Sequence, residues 1–155
     1  MSYIDALFDP AKFAAIVDRT CKALSSLTFD TIVFRGFSGA LVGPLVALQL
    51  GKRMALVRKQ GDAAHSDQIV EGAIDGKYII LDDFIDTGET VRKIVMAVKI
   101  DPYKHTTSAE CVGVYMWHDA YQRERVAAWH MGSDDSVDSY YNGLSEMCGG
   151  VKILN

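Results

Sequence analysis

Four carboxylates and two threonines fall within nine residues, Asp82-Asp83-Phe84-Ile85-Asp86-Thr87-Gly88-Glu89-Thr90. Adjacent carboxylates offer oxygens to sugar hydroxyls or to a hard cation such as Mg²⁺. The Thr87–Thr90 segment offers the opposite chemistry. A helix opening there presents unpartnered amides and the positive end of its dipole, with two hydroxyl donors beside them. Gly88 permits positive φ or close approach of the backbone. That is a cradle for one phosphate. Asp82 and Asp83 cannot face the same phosphate without repulsion, so the pair and the cradle together describe a sugar phosphate with a metal nearby. A plain strand–loop–helix joint with an acidic strand end is the competing reading.

These side chains need elements to hold them. Tyr78–Leu81 is an unbroken apolar run and reads as a buried parallel strand. A helix follows from Thr90 to about Lys99, with Val91, Ile94, Val95 and Val98 inward, and Asp101-Pro102 ends it. Thr31–Phe34 is a second buried strand, running into the loop Arg35-Gly36-Phe37-Ser38-Gly39 and then a helix from about Leu41 to Leu50, capped by Gly51. Ser38 and the free amides of that loop suit a second anion, with Arg35 supplying charge. Met54–Val57 is a third strand, ending at Arg58-Lys59 inside a basic island that runs from Lys52 to Lys59. Gln60–Asp67 has no apolar periodicity and carries His65, either a loop that closes over a ligand or a solvated turn. Gln68–Gly76 reads as a strand and a turn at Asp75-Gly76. Ser108–Trp117 is a further strand. Trp117 suits the core slightly better than stacking on a planar base. His118 and Asp119 suit either a polar edge for that base or the N-cap of a helix from Ala120 to about Ala128. At the start of the chain, Asp9-Pro10 opens a helix whose Phe13, Ile16, Val17, Cys21 and Leu24 form one packing face. Strands alternating with helices predict an α/β fold: a doubly wound, mainly parallel sheet whose ligand sits at the carboxyl ends of the strands.

Asp82–Thr90 resembles the phosphoribosyl-diphosphate (PRPP) motif of the type I phosphoribosyltransferases: apolar residues, two acids, a spacer at Phe84-Ile85, then Thr-Gly-x-Thr. The resemblance covers roughly Thr31 to Val98. It implies a Rossmann-like core with a small C-terminal hood, and transfer of phosphoribosyl from PRPP to a nucleobase (purine or orotate-like) with release of pyrophosphate. Asp82 and Asp83 then hold the ribose hydroxyls and, through water, Mg²⁺. Asp86 to Thr90 wrap the 5-phosphate, and Asp86 acts as acid/base beside the nucleobase. Arg35-Gly36-Phe37-Ser38 resembles the adenine-type pyrophosphate loop, which predicts a cis peptide at Phe34–Arg35. Arg58 and Lys59, joined by His65, resemble the start of the flexible loop that closes over pyrophosphate. Arg35 and Lys59 steady the leaving group. Two features depart from the pattern. Glu89 stands where many members have Gly or Lys, and the strand before Trp117 lacks the Lys of hypoxanthine-type members. A PRPP-sensing regulator that has lost transfer is the alternative.

The 155 residues suit a single domain, with a core over about 28–118 and the hood from 119–155 together with the N-terminal helix. A net charge of −4 gives no general attraction to nucleic acid or anionic membranes. Cys21, Cys111 and Cys148 show neither metal spacing nor a disulfide framework, as expected of a cytoplasmic protein. No signal peptide or spanning segment is read, and the resemblance implies a homodimer.

Overall fold

The computed structural model describes residues 2–61, 67–101, 109–130 and 134–155. Five strands form one sheet: β1 (Thr31–Arg35), β2 (Arg53–Val57), β3 (Val70–Glu71), β4 (Lys77–Asp82) and β5 (Glu110–Met116). Their spatial order is β3-β2-β1-β4-β5. β2, β1, β4 and β5 are parallel, and the two-residue β3 is an antiparallel edge. Five helices cover it: α1 (Pro10–Leu24), α2 (Gly36–Leu50), α3 (Glu89–Ile100), α4 (Arg123–His130) and α5 (Asp134–Met147). Short 3₁₀ turns lie at Asp5–Phe8 and Asp119–Tyr121.

The central strands are apolar on both faces because both faces are covered. On β4, Ile79 and Leu81 pack with Leu24, Val42, Val46 and Trp117 under α1 and α2. Tyr78 and Ile80 pack the other way, with Val91 and Ile94 of α3 and Val137, Tyr141 and Leu144 of α5. This is the doubly wound arrangement, and its consequence is positional. The chain leaves β1 toward β2 on one side, and β4 is added on the other. A crevice therefore opens at the carboxyl ends of β1 and β4. Val33 pairs with Ile80, so Arg35 and Asp82 emerge level with each other.

Several sequence expectations are revised. Helix α2 begins at Gly36, not near Leu41, so the supposed loop is its first turn. The Phe34–Arg35 peptide is trans, as are all described peptides. Arg35 is extended (φ −144°, ψ 136°), and Gly36 makes the turn with φ +78°. After β5 the helical start is a 3₁₀ turn capped by His118, whose side chain accepts from the Ala120 amide, while Asp119 pairs with Arg19 at 2.5 Å. Trp117 is fully buried, in keeping with the core reading. The tail forms α5 and a closing segment in which Ile153 bridges Val114 of β5.

Candidate active site

One cleft of about 260 Å³ lies over the β1/β4 crevice, lined by Arg35–Ser38, Lys59, the whole of Asp82–Val91 and Tyr3. Two helix N-termini meet there. Neither has a side-chain cap: α2 follows Arg35, and α3 follows Gly88 with φ +77°. The Glu89 amide makes a long hydrogen bond to Thr87 Oγ1 at 3.3 Å, and the other amides of these first turns face the cleft for a ligand. Ser38 is buried at the first of these ends. Arg35 is half-buried, and its Nε has no hydrogen-bond partner among the described residues. The Lys59 side chain lies over Gly36: a Cβ there would come within 2.9 Å of Lys59 Cε and 3.1 Å of Nζ. Two amide cradles, a guanidinium and an ammonium thus surround one space.

The acids sit at the floor of the cleft. Asp82 and Asp83 are buried, and the Asp83 amide donates to Asp82 Oδ1 at 3.0 Å. Burial pushes the Asp82 carboxyl well above its ordinary range, a side-chain hydrogen bond with Asp83 and that group's charge push it further, and the Asp83 amide and Lys59 pull it back. No group of three His, Cys, Asp or Glu able to cage a metal occurs among the described residues. Two adjacent carboxylates nonetheless fit Mg²⁺, which is commonly held by one or two protein acids together with substrate oxygens. The raised Asp82 carboxyl fits too, since a cation would stabilise its charged form.

Asp86 and Thr87 are exposed at the rim. Glu89 is turned outward to Lys93 at 2.6 Å, and Lys93 holds its carboxyl below the usual range. An acid at this position is therefore compatible with the anion cradle. Arg58 does not line the cleft; it pairs with Glu71 of β3 at 2.8 Å. His65 lies outside the described residues.

One component was not foreseen. Tyr3 reaches the cleft from the N-terminal segment and meets Phe84 edge-on at 5.9 Å, while Phe84 stacks on Tyr121 at 5.7 Å. No local pattern around Tyr3 marks it. The aromatic spacer residue Phe84 was the available signal that a planar surface borders the acids.

Comparisons with known proteins bear on this arrangement. No family model matches the chain. Adenine phosphoribosyltransferase of Thermotoga neapolitana is 30% identical over 112 residues, 60% of this chain and 64% of that protein. Orotate phosphoribosyltransferase of Sulfolobus acidocaldarius is 26% identical over 91 residues, 58% of this chain and 46% of that one. Over part of its length the chain is similar to adenine and orotate phosphoribosyltransferases. It spans less than two thirds of the length of these curated relatives. The adenine phosphoribosyltransferase of Saccharomyces cerevisiae, solved with adenine and an imino-altritol bisphosphate, superposes with a TM-score of 0.53 at 24% identity, covering 70% of this chain and 68% of that one. The fold is thus that of type I phosphoribosyltransferases, and the cleft stands at the β1/β4 switch point of that fold.

Proposed function

We propose that the chain is a Mg²⁺-dependent phosphoribosyltransferase that moves 5-phosphoribosyl from PRPP to a nucleobase. The observation that carries this is the convergence of two uncapped helix N-termini and one buried acid pair in a single cleft. PRPP has two anionic groups and a diol, which match the two cradles and the pair. In this reading Thr87, Gly88, Glu89 and Thr90 hold the 5-phosphate, the Glu89 amide exchanging its long bond to Thr87 Oγ1 for the ligand. Arg35, Gly36, Phe37, Ser38 and Lys59 hold pyrophosphate, with Arg58 and His65 as further donors. Asp82 and Asp83 bind the ribose hydroxyls and would hold Mg²⁺, which supplies charge neutralisation for the diphosphate. The chemistry left to the protein is positioning and electrostatic stabilisation as C1 becomes cationic and pyrophosphate departs. Asp86, exposed at the rim, exchanges a proton with the acceptor. The Tyr3–Phe84 edge supplies a face for a planar base.

A cytoplasmic, homodimeric enzyme is part of the proposal. Free Cys21, Cys111 and Cys148 support a reducing compartment. Among the described residues no helix is long and apolar enough to cross a membrane. Incubation with PRPP, Mg²⁺ and each of adenine, hypoxanthine, guanine, xanthine, orotate and uracil tests the reading. Pyrophosphate release with one of them is expected. PRPP binding without release from any would replace transfer by sensing.

A further inference from the structure

Arg92 sits in the first turn of α3, where the helix dipole opposes a cation. Its surroundings explain the placement. Nη1 donates to the Thr87 carbonyl at 3.1 Å and also to the Met147 carbonyl at the end of α5. The two chain segments touch directly beneath it. A Cβ on Gly88 would collide with the Met147 carbonyl and lie 3.0 Å from the Cys148 amide nitrogen. The α5 end is itself turned by Gly149 and Gly150, whose amides donate to Glu146 at 3.1 Å and Ser145 at 2.9 Å. A Cβ on Gly149 would lie 3.8 Å from Arg92 Cγ, so the arginine stem covers this turn.

The Thr87–Gly88 peptide leads into the cradle, where the Thr87 hydroxyl also accepts from the Glu89 amide at 3.3 Å. It precedes a positive-φ glycine, and rotating it would carry the Thr87 carbonyl toward the bound anion and the Gly88 amide away. A carbonyl oxygen facing a phosphate is repulsive. The guanidinium occupies that carbonyl and joins it to the equally negative Met147 carbonyl, which no helix amide satisfies as well as a cation does.

We propose that Arg92 is a positioning residue: by binding the Thr87 and Met147 carbonyls together it locks the Thr87–Gly88 peptide in the orientation that presents the cradle amides, without touching the ligand. The inference rests on the phosphate-cradle reading above. It makes the end of α5 a structural part of the donor site.

Arg92→Lys and Arg92→Met are compared with wild type and with Arg123→Ala. Arg123 also tethers α5, through Asp138 at 2.6 Å, and neither residue lines the cleft. Two readouts are taken: amide hydrogen exchange of residues 88–91 in the ligand-free protein, and calorimetric affinity for PRPP with Mg²⁺ alongside KM and kcat. In Arg92→Met the expected results are faster exchange of those amides, an affinity lower by about tenfold, as for loss of a hydrogen bond to a charged group, and a KM that rises far more than kcat falls. Added guanidinium ion should recover part of the affinity. Arg92→Lys should fall between Arg92→Met and wild type, and Arg123→Ala should change neither readout. Unchanged exchange in both Arg92 variants overturns the proposal, and so does an equal effect in Arg123→Ala. If wild type takes no PRPP the functional reading fails, while the exchange measurement still decides the lock.

Discussion

At the scale of single residues, two of the acids at the cleft sit in opposite surroundings. Asp86 is exposed at the rim; Asp82 is buried and resists ionisation. Asp86→Asn should lower turnover by about a hundredfold or more, as for loss of a general acid/base, while PRPP affinity by calorimetry changes little. Equal loss of both would remove the proton-transfer role. Asp82 makes a separate prediction about stability without metal. Its native carboxyl titrates above its unfolded value, so between those two points the native state binds more protons and stability falls as pH rises. Asp82→Asn is spared that loss. Its melting temperature in EDTA should exceed that of wild type, by a margin that widens from pH 4.5 to pH 8. A margin that shrinks with pH would contradict the burial argument.

At the scale of elements, the helix starts do the work, and here sequence and structure parted in instructive ways. The Asp82–Thr90 segment was legible because strand end, acid pair and helix start lie within nine consecutive residues. The start of α2 was not. Gly36, Ser38 and Gly39 have weak helix preference, yet burial of Ser38 and Gly39 against the sheet extends the helix to the strand end. The cis peptide was expected from resemblance alone. Here a left-handed Gly36 makes the same change of direction with an ordinary trans bond. Helix α5 was hidden by its Asp, Ser, Gly and Tyr content, although Val137, Tyr141, Leu144 and Cys148 recur at helical spacing and all are buried. The N-terminal contribution to the cleft could not be seen, because a single Tyr3 carries no periodicity. Gly88→Ala tests the most demanding of these positions. A side chain there meets both positive φ and the Met147 backbone. It should cost about 1–3 kcal/mol of stability in urea titration and abolish measurable PRPP binding.

At the scale of the whole molecule, α2 has an unbalanced character. Its 15 residues contain no charge, and while Val42 and Val46 are buried, Phe37, Leu45 and Leu48 are 63%, 43% and 81% exposed. Apolar rows of this kind are a feature of protein contact surfaces. If the chain pairs through this helix, Leu48→Glu should shift sedimentation toward the monomer and leave the melting profile of the fold nearly unchanged. A persistent dimer would place the contact elsewhere. The general lesson of the three scales is that local chemistry could be read along the chain, whereas contacts made between distant segments, such as Tyr3 with Phe84 or Met147 with Gly88, could not.

The end of β5 has a further effect. Ile153 bridges Val114, and the carboxamide of Asn155 accepts from the Met116 amide and donates to the Met116 carbonyl, each at 2.9 Å. A side chain there imitates a neighbouring strand. The outer edge of β5 is thereby partly paired, which removes a template for addition of a foreign strand on that side of the sheet. Concentrated solutions of the folded chain should thus resist ribbon-like polymerisation through β5.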